Sequence, residues 1–251
     1  MKLQVDHLNF SYGKDLPVVL KDISFSVREG EFISLLGPSG CGKSTLLNLL
    51  SGIRSGYTGD IFVEEQKITG ISAHFAYMPQ NDLLLNWRTI LDNICLYGEI
   101  HHKKKEVIPK ALELMDRFGL GGCEQKYPNE LSGGMRQRAA FLRTALCEAD
   151  IYLLDEPFGA LDVITRGEMQ DWLHDLCAGL YKTILLVTHD TDEAVYLSDR
   201  ILVLGRAGEG IRDEVVIEEQ NRDREWLFRQ SRLRSQIHHI ISDRENTDEA
   251  G

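Results

Sequence analysis

The sequence predicts an α/β fold, a parallel-sheet core with a helical region inserted into it. Two short apolar runs, IYLLD at residues 151–155 and TILLVTHD at residues 183–190, have the length and composition of central parallel strands buried on both faces. A glycine-rich stretch, GPSGCGKST, lies between an apolar run suited to a strand and LLNLLSG, which reads as a helix closing at Gly52. From about residue 90 to residue 149 the apolar spacing turns helical. The order strand, glycine-rich loop, helix, helical insertion, strand, helix, strand is that of an α/β core.

From the N-terminus, residues 3–10 alternate imperfectly between apolar and polar, residues 23–27 alternate cleanly and residues 31–36 end in an apolar run. Three strands are expected there. Lys14-Asp15-Leu16-Pro17 and Arg28-Glu29-Gly30-Glu31 supply the turns between them. In the helical region, residues 108–118 place apolar side chains at helical intervals and residues 132–146 hold a second long helix. Another helix is expected between the two central strands. Near the C-terminus, DREWLFRQSRLRSQIHHII reads as one charged amphipathic helix followed by a polar tail.

Charge narrows the function classes. Across 251 residues, 28 Lys and Arg against 39 Asp and Glu give a formal net charge of −11, spread along the whole chain. Binding nucleic acid through the overall field needs basic groups that displace counterions from phosphates, so no nucleic-acid partner is expected. An anionic membrane surface is disfavoured as main partner for the same reason. The longest apolar runs are strand-sized, too short to cross a bilayer. The first residues lack a basic segment followed by an apolar core, so a cytosolic location is the expectation. Cys41, Cys95, Cys123, Cys147 and Cys177 are odd in number and never at CxxC spacing, which fits reduced thiols better than disulfides or a zinc site.

Gly37-Pro38-Ser39-Gly40-Cys41-Gly42-Lys43-Ser44 matches the GxxxxGK[ST] pattern in the strand-to-helix context that the pattern requires. Its glycines let successive backbone N–H groups turn inward around phosphate oxygens, and the following helix presents its positive end to the same anion. Lys43 would reach the β- and γ-phosphates of a nucleotide, and the Ser44 hydroxyl would coordinate Mg²⁺. A glycine-rich turn with a chance lysine would leave the flanking strand and helix unexplained. Cys41 lies inside this loop, where the positive field would favour its thiolate and make alkylation sensitive to ATP, or where only a small side chain fits. At the end of IYLLD, Asp155 is placed to hold the Mg²⁺ shell, and Glu156 follows, suited to polarise an attacking water.

Leu131-Ser132-Gly133-Gly134-Met135, followed by Arg136-Gln137-Arg138, would alone be no more than a helix N-cap. With the motifs above it gives the sequence a resemblance to the ATPase subunits of ATP-binding cassette (ABC) transporters over nearly all of residues 1–220. The resemblance implies a P-loop NTPase core with a parallel sheet, an N-terminal antiparallel β subdomain and an inserted α-helical subdomain at about 82–149. A C-terminal helix and polar tail over 221–251 would follow. ATP and Mg²⁺ are the implied ligands, with the loop from Gly37 through Lys43, Ser44 and Thr45 holding the phosphates. Ser132, Gly133, Gly134 and Met135 of one protomer would contact the γ-phosphate held by the partner's loop; Met135 stands where the family often has glutamine. Tyr12 matches the aromatic that stacks on adenine. Gln80, in YMPQ, matches the glutamine that joins Mg²⁺ and the attacking water to the helical region. Asp162, in GALD, matches the loop crossing the dimer contact, and His189 matches the switch histidine at the γ-phosphate.

The family mechanism implies two cassettes closing head to tail around two ATP molecules. With one phosphate loop and one signature, this chain needs a second ATPase subunit, a homodimer in the simplest case. Transport would run through separate transmembrane permease subunits, fed by a solute-binding protein, with this chain peripheral on the cytoplasmic face of the inner membrane. Residues 81–94, NDLLLNWRTILDNI, lie where the family receives the permease. They resemble the LLPWRTVLDNV stretch of importer ATPases for nitrate, taurine, aliphatic sulfonates and pyrimidine precursors, with Asn86 replacing a proline. DEAVYLSDRILVL at 192–204 points the same way. A soluble cassette ATPase of DNA repair or translation would carry a coiled-coil insertion or a second fused cassette, and a kinase or GTPase would leave LSGGM and His189 unexplained. His101-His102-Lys103-Lys104-Lys105 reads as a solvated helix end, with metal or nucleic-acid binding as the alternative.

Overall fold

A computed structural model describes residues 1–180, 182–219 and 221–242; the side chains of residues 175–180, Cys177 among them, lie outside the described set. The chain opens with β1 (Leu3–Ser11) and β2 (Val18–Val27), then β3 (Phe32–Leu36), the glycine-rich loop and α1 (Lys43–Leu50). Next come β4 (Thr58–Val63), the short β5 (Gln66–Lys67) and β6 (Phe75–Met78). The helical region holds α2 (Ile90–Ile94), α3 (Leu96–Ile100), α4 (Lys104–Arg117) and α5 (Gly133–Ala145). Then follow β7 (Ile151–Asp155), α6 (Val163–Leu180), β8 (Thr183–Val187), α7 (Thr191–Leu197), β9 (Arg200–Leu204), β10 (Ile211–Val216), α8 (Arg224–Arg229) and α9 (Ser231–Ser242).

Two sheets result. The smaller is antiparallel in the order β2-β1-β4-β5, and the larger runs β10-β9-β3-β8-β7-β6 with all neighbours parallel except the β9–β10 pair. The central strands are mostly apolar and almost wholly buried because each packs a core on both faces. Ile33, Leu35, Ile151, Leu153, Leu185, Val187, Leu202 and Leu204 join one core with β1, β2, β4 and α1. Their alternate neighbours Phe32, Leu36, Tyr152, Leu154, Ile184, Leu186, Ile201 and Val203 join a second core with the helical region, α6, α7, α8 and α9. The period of two along each strand thus divides the molecule into two cores.

The structure departs from the sequence reading in several elements. His7 and Asp22 adopt left-handed backbone conformations, and the β1–β2 register shifts around them, which is why residues 3–10 alternate imperfectly and why β2 begins well before the clean alternation. The strands β4, β5, β6 and β10 were not expected. β5 and β6 are too short to show a period, and β10 is a charged edge strand that buries only Val215. The eighth strand stops at Val187, short of residue 190, because Thr188, His189 and Asp190 form a turn into α7. The C-terminal segment is two helices rather than one, with Asp223 capping α8 and a break at Gln230; Leu227 and Ile237 are buried against the main core. The His101–Lys105 stretch is paired rather than freely solvated: Lys103 binds Glu148, Lys104 binds Asp92 and Glu99, and His101 stacks against Tyr97.

Candidate active site

The parallel strands end nearly level. Leu35 and Asp155 both pair with Val187, and Met78 pairs with Leu154, so one or two further residues on each strand bring Gly37, Gln80, Glu156 and His189 to the same rim. Ligand sites on open α/β sheets form at this carboxyl edge. Here Tyr12, Val19, Ser39, Gly40, Gly42, Lys43, Ser44, Thr45, Gln80, Glu156 and His189 line a cavity of about 710 Å³.

The glycine-rich loop is shaped by backbone conformations that side chains resist. Gly42 has φ 106°, and a Cβ there would lie 2.7 Å from Leu20 Cδ2; a Cβ on Gly37 would lie 2.7 Å from the Leu204 carbonyl oxygen. Gly42 caps α1, and among the described residues no side chain caps that helix. Apart from the Lys43 N–H, which approaches the Cys41 thiol, its first N–H groups can serve an anion. Lys43 is folded back into the loop, its Nζ donating to the carbonyls of Gly37 at 2.7 Å and Pro38 at 3.0 Å. These bonds hold the ammonium at the mouth of the cavity that it lines.

Asp155 is 2% exposed, and the Ser44 hydroxyl donates to its Oδ1 at 3.0 Å. Burial pushes its carboxyl above the ordinary range, and Glu156 beside it adds to the shift, while Ser44, Lys43 and Tyr77 oppose it. Glu156 sits one residue on in a left-handed conformation, φ 48°, its N–H still donating to Val187 at 2.9 Å. Its carboxylate accepts from Gln80 Nε2 at 2.9 Å and lies 3.5 Å from His189 Nδ1. A strained backbone here directs the carboxylate into the cavity between an amide and an imidazole.

Tyr12 donates to or accepts from Thr45 Oγ1 at 2.8 Å, and the Arg54 guanidinium lies 4.8 Å from its ring centroid. Cys41, Pro38 and Gly37 are not among the lining residues. Cys41 is buried, and burial pushes its thiol up despite Lys43, so the loop does not favour a thiolate. Of the two readings of Cys41, the small buried residue fits.

The other motif residues lie elsewhere. Ser132 caps α5, its Oγ accepting from Met135 N–H at 3.3 Å, and Ser132, Gly133, Gly134 and Met135 do not line the cavity. Asp162 likewise caps its own helix: its Oδ1 accepts from Thr165 N–H at 3.1 Å, which holds its carboxyl below the usual range. The α5 helix is tied to the catalytic edge from behind, the buried Gln137 donating to the Pro157 carbonyl at 3.3 Å.

The ABC transporter family model matches residues 20–159. This chain belongs to that family. It is 42% identical over 204 residues to the aliphatic sulfonates import ATP-binding protein SsuB of Bacillus licheniformis, covering 81% of this chain and 79% of that one. It is 46% identical over 202 residues to the formylaminopyrimidine import ATP-binding protein ThiZ of Halalkalibacterium halodurans, covering 80% and 78%. With the nitrate import ATP-binding protein NrtC of Synechococcus elongatus it shares 43% identity over 210 residues, 80% of this chain but only 32% of the relative. The solved dimer of the ATP-binding cassette MJ0796, in a post-hydrolysis state bound to ADP and Pi, superposes with a TM-score of 0.77 at 27% identity, covering 86% of this chain and 99% of that one. The fold is accordingly that of an ABC ATPase cassette. Val19 as a lining residue and Tyr77 as a neighbour of Asp155 are additions of the structure: Val19 lies in no motif, and Tyr77, though in YMPQ, has no role assigned by it.

Proposed function

We propose that this chain is the ATP-hydrolysing subunit of an importer, working as a dimer with separate permease subunits at the cytoplasmic face of the membrane. The observation that carries the reading is the single cavity rim shared by the phosphate loop, Gln80, Glu156 and His189. Lys43 and the loop N–H groups hold the β- and γ-phosphates, and the Tyr12 ring stacks on the base. Glu156 accepts the proton of the attacking water, Gln80 and His189 orient it, and the strained turn keeps all three groups in reach of one another.

The residues present fit Mg²⁺. The Ser44 hydroxyl and the Asp155 carboxylate already touch, and they are hard oxygen donors beside the phosphate loop. Among the described residues no cluster of three or more His, Cys, Asp or Glu side chains could hold a metal. The ion would rest on Ser44, Asp155, Gln80 and the nucleotide's own phosphates, the sparse protein shell that Mg²⁺ accepts. When bound it neutralises charge developing on the phosphates.

Ser132, Gly133, Gly134, Met135 and Asp162 serve the partner's nucleotide. The exposure of Ser132, Gly133 and Asp162, with Gly134 and Met135 half-buried, at helix starts outside this chain's own cavity supports that assignment, as does the dimeric form of the MJ0796 cassette. Among the described residues no helix is long and apolar enough to cross a membrane. The permease would dock at residues 81–94. There Asn93, fully buried, binds Leu85 through both its amide groups and holds a loop that leaves Trp87 74% exposed. The relatives' names support a small anionic or pyrimidine-like solute, delivered by a binding protein. Glu156→Gln tests the core of the reading. It should lower ATP turnover by about 10²–10⁴-fold, the range of one general base, and accumulate an ATP-bound dimer on size exclusion. A variant that turns over ATP at the parental rate refutes it.

A further inference from the structure

The His189 side chain is 67% exposed and, beyond the 3.5 Å approach of its Nδ1 to Glu156, depends on its backbone for its position. That backbone is fixed by a hydroxyl and a buried carboxyl to which the motifs assign no role. The Thr188 hydroxyl accepts from Asp190 N–H at 3.0 Å, spanning His189, and donates to Glu193 Oε2 at 2.6 Å. A hydroxyl has one proton, and committing it to Glu193 turns a lone pair toward Asp190. Glu193, 6% exposed, accepts through Oε1 from Gln170 Nε2 at 3.2 Å, and Gln170 Oε1 accepts from Arg224 of α8 at 2.9 Å. Asp190 completes the turn by capping α7, its Oδ1 accepting from the N–H groups of Asp192 and Glu193. Arg166 is the cation beside both acids, 3.7 Å from Asp190 and 4.0 Å from Glu193.

We infer that Thr188 and Glu193 are positioning residues for His189: the buried carboxylate sets the direction of the Thr188 hydroxyl, and the hydroxyl sets the turn that presents the imidazole to the cavity. Burying a carboxyl is costly, and burial pushes this one up. Direction at the turn gives this buried carboxyl behind an exposed histidine its role. Val or Ser at position 188 separates this role from packing. Val keeps the branched shape and loses the hydroxyl, whereas Ser keeps the hydroxyl and loses a methyl. This inference rests on His189 acting at the γ-phosphate, so His189→Ala is measured alongside.

The test is steady-state ATPase activity and ATP affinity of the full chain, with folding checked by thermal melting. Thr188→Val should lower kcat about tenfold or more, the scale of misplacing a catalytic group by a fraction of an ångström to an ångström, and leave ATP affinity within about twofold. Thr188→Ser should restore kcat. Glu193→Gln should follow Thr188→Val, since the amide cannot accept from both Thr188 and Gln170. In the His189→Ala background Thr188→Val should add no further loss. A parental kcat in Thr188→Val, a larger defect in Thr188→Ser than in Thr188→Val, or the same fold-loss from Thr188→Val with and without His189 overturns the inference. His189→Ala at parental kcat refutes the role of His189 and the inference with it; loss in His189→Ala with an intact Thr188→Val refutes the inference alone.

Discussion

Two glycine-bearing helix starts in this chain use their backbone N–H groups in opposite ways. At α1 the glycines take left-handed conformations, among the described residues no side chain caps the helix, and the opening N–H groups face a cavity lined by the same chain. At α5 Gly133 and Gly134 continue the helix, and Ser132 satisfies its own helix through Met135. The first start opens onto a cavity within one chain, where the proposed phosphate site lies. The second caps itself, yet among the described residues no acceptor takes the Ser132 hydroxyl proton, because Oγ accepts from Met135 through a lone pair. A self-capped end with an unspent donor suits a ligand that arrives only when two chains meet.

The contrast breaks most sharply at Ser132. Ser132→Arg fills the region that would meet the partner's γ-phosphate and leaves the phosphate loop untouched. It should lower ATPase turnover about 10²–10³-fold, the cost of one preorganised donor to a developing charge, while ATP affinity measured by equilibrium dialysis on dilute protein stays within about twofold. If affinity and turnover fell together, the two helix starts would be serving one site in one chain.

The same contrast explains what could be read in the sequence. GPSGCGKS and the IYLLDEP strand end were legible from the residues because each lies at the end of an apolar run or in a short motif, Gln80 and His189 through the family resemblance, and the level strand ends then gather them. The division of roles between the two helix starts was legible only through the family resemblance, since a serine before two glycines reads equally as a cap. Val19, Tyr77, Thr188 and Glu193 were not legible. Val19, which lines the cavity, lies at the β1–β2 register shift between the Phe10–Leu20 and Ser11–Val18 pairs. Tyr77 meets Asp155 because β6 pairs with β7 in one particular register. Such contacts are set by pairing between distant segments, which no local spacing encodes.

A smaller effect tests why the α1 start needs glycine. Gly42→Ala places a methyl against Leu20 and Val19 and strains a left-handed residue, which should cost about 1–3 kcal/mol of stability in a denaturant titration. Because Val19 lines the cavity, ATP affinity should fall as well. Gly134 has no such demand: a Cβ there meets the Ala160 carbonyl oxygen at 3.4 Å, ordinary contact, and its φ is helical. Gly134→Ala should therefore leave stability of the isolated chain within about 0.5 kcal/mol, as surface changes do. Equal destabilisation at the two positions would erase the distinction between an open and a capped start.

The smallest effect expected is a gain. Asp155 serves the open start at the expense of the fold: its folded pKa is raised above the ordinary 3.8, chiefly by burial. A raised carboxyl pKa means that the folded chain holds the proton more tightly than the unfolded one. The stabilising contribution of that proton is complete below the unfolded pKa and is lost as pH rises through the folded value. At neutral pH the ionised group is therefore a net burden on the nucleotide-free chain. Asp155→Asn removes the charge and keeps an oxygen that can accept from Ser44. The melting temperature at neutral pH should rise by roughly 2–4 °C, the shift that about 1 kcal/mol gives in a chain of this size. The gain should shrink toward zero below the ordinary carboxylate range, where the parent is protonated as well. Added ATP with Mg²⁺ should reverse the ranking, because the parent is stabilised by binding and the variant has lost the charge that holds the metal. An Asp155→Asn variant less stable than the parent without nucleotide would mean that Ser44, Lys43 and Tyr77 together outweigh burial, and that the carboxylate is structural before it is catalytic.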